Sequence, residues 1–291
     1  MKNRYAKLVL AANVLVLLLV ISGAVVLLFR RPELTFRTEA KTEIIRAVVR
    51  SDDSPVWILR DVELFSGVST TPREFSGIIK PLNGASVAFK RISKGSLWVT
   101  MQVDSGNVAY AVDSTDSAIV VGSRLAIRIE GVPDRVLLGS GLLFTIIGEA
   151  EIGSEVQASN DMLATTPTLI EGEGGVFAER MFGGGIFEAT QYRLRLGERF
   201  QVFNDPIRAP RQYDVAIVKL DEEPGMSVLV SAVGGEAIVT GFGRKPHSIR
   251  VSYWDRLRTD PELQAIWVFA GSLYAFARLI GLAGRKKEDG E

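Results

Sequence analysis

The sequence predicts a mainly β protein, an antiparallel sandwich or barrel-like fold with one or two subdomains, flanked by two transmembrane α-helices. Three observations predict it. Residues 8–29 are an uncharged apolar run of 22 positions, long enough to cross a bilayer core as a helix. Residues 263–283 form a second apolar run near the other end. Between them, apolar residues alternate with polar ones at period two, and turn residues recur at short intervals.

The elements follow in chain order. A basic leader, 1–7, precedes the first span, 8–29. Ser22, Gly23 and Ala24 offer a small-residue cleavage site, but Val25–Phe29 carry the apolar run past it, so an uncleaved anchor is expected. Residues 30–54 read as a juxtamembrane linker, with a short helix over 38–50 (TEAKTEIIRAVVR). A first β subdomain is expected over 55–152, where Leu125, Ile127 and Ile129 alternate with Arg124, Arg128 and Glu130. LLFTII at 142–147 reads as a more fully buried strand. Residues 153–186 are polar and then glycine-rich (Gly172, Gly174, Gly175, Gly183, Gly184, Gly185), a pattern that predicts a linker or long loop.

A second β subdomain is expected over 187–258. There Tyr192, Leu194 and Leu196 alternate with Arg193 and Arg195, and SVLVSAV-GG-EAIVTGF predicts a hairpin turning on two glycines with φ > 0. Thr259-Asp260-Pro261-Glu262 is a helix start: a capping Asp, Pro at the first helical position and an acid in the first turn. The second span is placed at 259–283, with Arg278 near enough to its end to reach the headgroups, a helix lying on the membrane or docked on a partner being the alternative, and a charged tail follows at 284–291. Two antiparallel spans would set Asn13 and Arg278 at similar depth, where a contact between them relieves the cost of a lone polar group in lipid. Gly271 and Ala275 would let another helix approach closely.

Composition narrows the chemistry. Lys and Arg total 34, as do Asp and Glu, so the basic excess of a nucleic-acid-coating protein is missing. The chain has no Cys and a single histidine, His247, which removes thiol nucleophiles, thiolate metal sites and histidine-rich metal sites within one chain. A Ser-His-Asp triad would have to use His247, which sits in a basic turn with no partner motif. Asp104-Ser105-Gly106 has the spelling of an aspartic-protease site, and Asp113 is the nearest second carboxylate. Asp104–Asn107 reads more simply as the turn joining LWVTMQV to VAYAVD. The glycine cluster lacks both the Gly-Lys-Ser/Thr and the Gly-x-Gly-x-x-Gly spacing of phosphate-binding loops. The strand arginines could line a basic stripe facing anionic lipid, although equally numerous acids favour a solvated face. No catalytic, cofactor or metal residue is assigned, and a membrane-anchored hydrolase using carboxylate or Ser–Lys chemistry is the competing class.

Gly77-Ile78-Ile79-Lys80-Pro81-Leu82, the strand–Gly–strand step FEATQYRLRLGERFQVFNDP at 187–206, and the polar helix start before the last apolar run together resemble the membrane and β-domain part of GIDE-type proteins. The family's best-known members are mitochondrial ubiquitin ligases with a C-terminal RING. This chain ends GRKKEDGE and has no Cys to hold zinc, so ligase activity does not carry over. What the resemblance implies is a membrane-embedded sensing or binding domain.

The expected partners are the lipid bilayer and a protein partner or second copy of the chain, with no nucleic acid. Lys2, Arg4 and Lys7 before the first span favour a cytoplasmic N-terminus, while Arg30, Arg31, Arg37 and Lys41 after it oppose that. Both termini are expected in the cytoplasm and the β domain across the membrane.

Overall fold

The computed structural model describes residues 14, 15, 18, 22, 34–67, 71–119, 121–130, 142–153, 169–180, 186–203, 214–220, 223–241 and 244–288. Their contacts divide into two units. One holds Leu34–Phe177 and Gln191–Arg250; the other holds Met1–Glu33, Ala178–Thr190 and Val251–Glu291.

The first unit is β structure. Its strands are β1 (Leu34–Thr42), β2 (Ile44–Val49), β3 (Trp57–Ser66), β4 (Arg73–Pro81), β5 (Ser86–Lys90), β6 (Leu97–Gln102), β7 (Ala109–Asp113), β8 (Ala118–Ile119) and β9 (Arg124–Ile129). Then come β10 (Leu142–Ile152), β11 (Leu169–Glu179), β12 (Ile186–Leu194), β13 (Glu198–Phe203), β14 (Val215–Leu220), β15 (Met226–Gly234), β16 (Glu236–Gly241) and β17 (His247–Ile249); β11 and β12 carry the chain into the second unit and back. The mainly β, antiparallel expectation is met. One sheet runs from the first half of β10 through β14 and β15 to β1, which also pairs with β11. The other runs β8, β7, β4, β3, β9, β6, β5, β2, the second half of β10, β13, β16, β17.

Strand β10 therefore serves both sheets. Leu142–Ile147 pair with β14, and Gly148–Ile152 pair with β2. The changeover falls at Gly148, where a Cβ would lie 1.9 Å from the Val48 carbonyl oxygen. Only a residue without a side chain allows that approach. The same division occurs between β1 and β2, which flank Glu43 and belong to different sheets. Beneath the changeover, Trp57, Phe89 and Phe144 pack with ring centroids 5.0–5.8 Å apart, and the Trp57 indole N–H donates to the Thr145 carbonyl at 3.1 Å. This cluster joins β3, β5 and β10.

Several local readings are corrected. Residues 38–50 are not helical; they lie in β1 and β2, because Ile45, Ala47 and Val49 are buried at period two and find partners on both β5 and β10. The 30–54 linker is thus mostly sheet. The 153–186 segment is not all loop, since Gly172, Gly174 and Gly175 sit inside β11. Gly183, Gly184 and Gly185 lie outside the described residues. Gly234 and Gly235 do not make a hairpin turn with positive φ. Instead β15 pairs with β1 and β14 while β16 pairs with β13 and β17, so the glycines carry the chain from one sheet to the other. The Asp104–Asn107 turn is present, with Gly106 at φ 86°, but it too joins strands with different partners. The strand–Gly–strand step at 187–206 appears as β12, Gly197 at φ 76° and β13.

In the second unit, a short helix (Tyr253–Thr259) precedes a long one (Pro261–Glu288). Among the described residues no helix is long and apolar enough to cross a membrane. The expected span at 259–283 is thus helical, within Pro261–Glu288, but is not among helices able to cross. Of 8–29, only Val14, Leu15, Leu18 and Ser22 are described; they are helical and exposed.

Candidate functional site

The long helix carries the largest exposed apolar surface among the described residues. Its start is built as the sequence requires. Asp260 is fully buried, and its Oδ1 accepts the backbone N–H of Glu262 at 2.9 Å and of Leu263 at 3.4 Å. Leu263 and Ala270 are buried, and seven residues apart they share one stripe of the helix. The rest is open. Ala265–Phe269 are exposed in succession, with Val268 at 70% and Phe269 at 65%; Phe276 and Leu279 are each 64% exposed. Ile266, Phe269 and Phe276 recur at helical spacing on one face. Gln264, Gly271, Ala275 and Arg278 recur on a different, narrower one.

Of the residues expected to pack membrane helices, Gly271, Ala275 and Arg278 are thus brought to one exposed face, and the space where a Gly271 side chain would lie is empty for 4 Å. Asn13 lies outside the described residues, and so does the Asn13–Arg278 contact. The short helix is held by a reciprocal cap: the Ser252 backbone N–H and hydroxyl donate to Asp255 Oδ2 at 3.0 and 2.6 Å, and the Asp255 N–H donates to Ser252 Oγ at 3.1 Å. Hydrogen bonds from Ser252 hold the Asp255 carboxyl below the usual range. Trp254, 72% exposed, and Arg258, also exposed, lie four residues apart on one face of this helix.

On the β unit, a cleft of about 850 Å³ is lined by Glu39 and Lys41 of β1, Glu171 and Glu173 of β11, and Arg193 of β12 with the adjoining Arg195. The alternation at 192–196 had pointed to the two arginines. Glu171 and Glu173 keep the same period of two, but the surrounding glycines give that stretch the pattern of a loop. Acid and base share this face, so it is not the basic stripe that arginines alone suggested. Behind it, the Tyr192 hydroxyl bonds with Thr38 Oγ1, and its ring stacks on Phe200 at 5.4 Å. The ring fills the space over Gly174, where a Cβ would meet it at 2.5 Å. Burial pushes the Tyr192 hydroxyl up to about 12. Tyr192 is therefore a neutral strut across β11.

The Asp113 carboxylate has a structural duty. Asp113 Oδ1 accepts from the Thr115 N–H at 2.9 Å, the Thr115 hydroxyl at 2.6 Å and the Ser117 N–H at 3.0 Å. These bonds, led by that from the Thr115 side chain, hold its carboxyl below the usual range, so it caps a turn as a carboxylate. His247 opens β17 and is exposed. Among the described residues no group of three His, Cys, Asp or Glu could hold a metal ion.

Asp214 is different. It is 4% exposed where β14 meets the β10 changeover, and its carbonyl accepts the Gly148 N–H at 2.8 Å. Burial pushes its carboxyl up to about 7, against hydrogen bonds from the Ala150 and Val233 backbone and with a further push from Glu149. A folded-state pKa above the unfolded 3.8 means the favourable contribution is complete below about pH 4 and is lost as pH rises through about 7. The folded protein is expected to be less stable at about pH 8 than at about pH 5, by on the order of 2 kcal/mol from this group. Asp214→Asn should flatten that slope, which urea unfolding at the two pH values measures.

No family model matches the chain, and comparison with curated proteins and with solved structures yields no match.

Proposed function

We propose that this protein is a non-catalytic β-domain binding module held at a membrane, where it engages a protein partner or a second copy of itself and scaffolds a membrane complex. The observation that carries the reading is the exposed apolar face of the Pro261–Glu288 helix. Ile266, Phe269 and Phe276 on one face, with Val268 and Leu279 beside it, form more apolar surface than a water-facing helix tolerates. Each such side chain gains about 1.5–3 kcal/mol on leaving water. A helix of this kind lies in the bilayer boundary with its apolar face down and its Gln264–Arg278 stripe toward the headgroups. Residues 8–29 supply the second attachment, as a crossing helix. The resemblance to the GIDE-type β domain supports a sensing or binding role for the sheets.

Flotation of the full chain with lipid vesicles, combined with a sidedness reporter at each terminus and within 153–186, tests this. Co-flotation is expected, with the N-terminus on the cytoplasmic side and the β domain and C-terminus together on the opposite side. A full chain that stays monodisperse in detergent-free buffer and fails to float would remove the reading. Ile266→Ser with Phe269→Ser should lower the vesicle-bound fraction of a chain shortened by residues 1–33, which flotation also reads.

A further inference from the structure

We infer that the charged cleft of the β unit binds a small zwitterion, an ammonium joined to a phosphate by a short linker, with the ammonium on the glutamates of β1 and β11 and the phosphate on Arg193 and Arg195. The lining belongs to the β unit alone, so the inference does not depend on membrane attachment. The volume of about 850 Å³ is that of a small-molecule site. The signs are sorted by strand. Glu39 comes from β1, Glu171 and Glu173 from β11, and Arg193 from β12 with Arg195 just after it. Residues two apart on a strand share a face, so Glu171 and Glu173 present together.

These five charged groups do not pair with one another. Opposite charges on neighbouring strands ordinarily do. The unit pairs them elsewhere: Arg128 with Glu63 at 2.9 Å, Arg199 with Glu151 at 2.8 Å and Arg50 with Glu149 at 3.1 Å. Lys41, which also lines the cleft, is engaged by Glu223. Among the described residues, the side chains of Glu39, Glu171, Glu173, Arg193 and Arg195 make no ion pair or hydrogen bond, and all five are exposed. One cleft therefore holds a free negative set and a free positive set. Guanidinium forks match the oxygens of a phosphate, and carboxylates accept the hydrogens of an ammonium. Ala40, Gly172 and Leu194 add uncharged lining, suited to a short methylene linker. An anion alone would meet three carboxylates and a cation alone two guanidiniums, so like-charge repulsion favours a molecule carrying both charges over either half.

Calorimetric titration of the full chain in non-ionic detergent tests this, with glycerophosphoethanolamine as the soluble zwitterion and lysophosphatidylethanolamine as its lipid form. Saturable binding of the soluble zwitterion is expected, about tenfold or more tighter than that of glycerol phosphate or ethanolamine, the value of one charge-assisted hydrogen bond. Arg193→Gln with Arg195→Gln should bind the zwitterion no better than the native chain binds ethanolamine. Glu171→Gln with Glu173→Gln should bind it no better than the native chain binds glycerol phosphate. The substituted side chains are exposed, so both variants should keep the native circular dichroism spectrum. Tighter binding of the lysolipid than of the soluble zwitterion, lost in the same variants, upholds the inference and identifies a lipid headgroup as the source. Equal affinities uphold it and identify a free solute. Glycerol phosphate binding as tightly as the zwitterion marks a plain anion site and overturns the inference. So does binding of neither zwitterion, and a peptide of alternating Lys and Glu that binds where they do not would assign the cleft to a protein segment instead.

Discussion

Trp57→Ala is expected to lower the unfolding free energy by about 3–5 kcal/mol, the range for emptying a buried aromatic site. Trp57 is 2% exposed, sits edge-on to Phe144 at 5.0 Å and packs on Phe89 at 5.8 Å. Its removal leaves two phenyl rings facing a void and the Thr145 carbonyl without its indole donor. The rings cannot close the gap freely, because Phe89 lies on a strand paired on both sides and Phe144 on a segment paired with β14. Trp57→Phe separates the contributions. It keeps most of the ring contact and gives up the hydrogen bond, so about 1–2 kcal/mol is expected. Urea unfolding in mild detergent, followed by far-ultraviolet circular dichroism, measures both. A loss under about 1 kcal/mol for Trp57→Ala would mean that the cluster is not the joint between β3 and β10. Since whole domains are stable by only about 5–15 kcal/mol, the full expected loss should also show as reduced folded yield.

Gly148→Ala is expected to be as damaging by the opposite route. The added methyl would lie 1.9 Å from the Val48 oxygen, 2.9 Å from its carbonyl carbon and 3.0 Å from the Arg50 nitrogen. All three are backbone atoms of β2 or the residue after it, so no side chain can swing aside. The strands must separate, at the cost of the Arg50 N–H to Ile147 bond between them. Overpacking in a core costs about 1–3 kcal/mol where side chains can adjust; here about 3 kcal/mol or more is expected. Gly235→Ala is the control. Nothing lies within 4 Å of its added methyl and its φ is not positive, so a change within about 0.5 kcal/mol is expected. Equal stability of the two variants would refute the close approach of β2 and β10.

Both predictions concern contacts that the sequence does not announce. Gly148 is a lone glycine ending an apolar run, and Trp57 one aromatic among several. Their importance comes from β10 changing partners midway, a nonlocal event. The charged cleft was half legible. Arg193 and Arg195 stood out by alternation, but Glu171 and Glu173 were hidden in a segment whose glycines suggest a loop. Those glycines are strand positions because Gly172 and Gly174 lie hard against β1 and β12. Asp214 gave no sign at all, since only its burial at the strand junction makes its carboxyl unusual.

By itself the sequence determined what depends on neighbours a few residues away. Period-two alternation assigned the strands near 125 and 194, the apolar run LLFTII assigned that at 142–147, and Asp260-Pro261 assigned the helix start, because side-chain direction and capping are local geometry. Tertiary structure alone decided which strands meet. It turned 38–50 into two strands, sent β15 and β16 to different sheets, and left the long helix with its apolar face open. Strand pairing joins residues a hundred positions apart, and the free energy of filling both edges of a strand outweighs the small local preference for helix or hairpin.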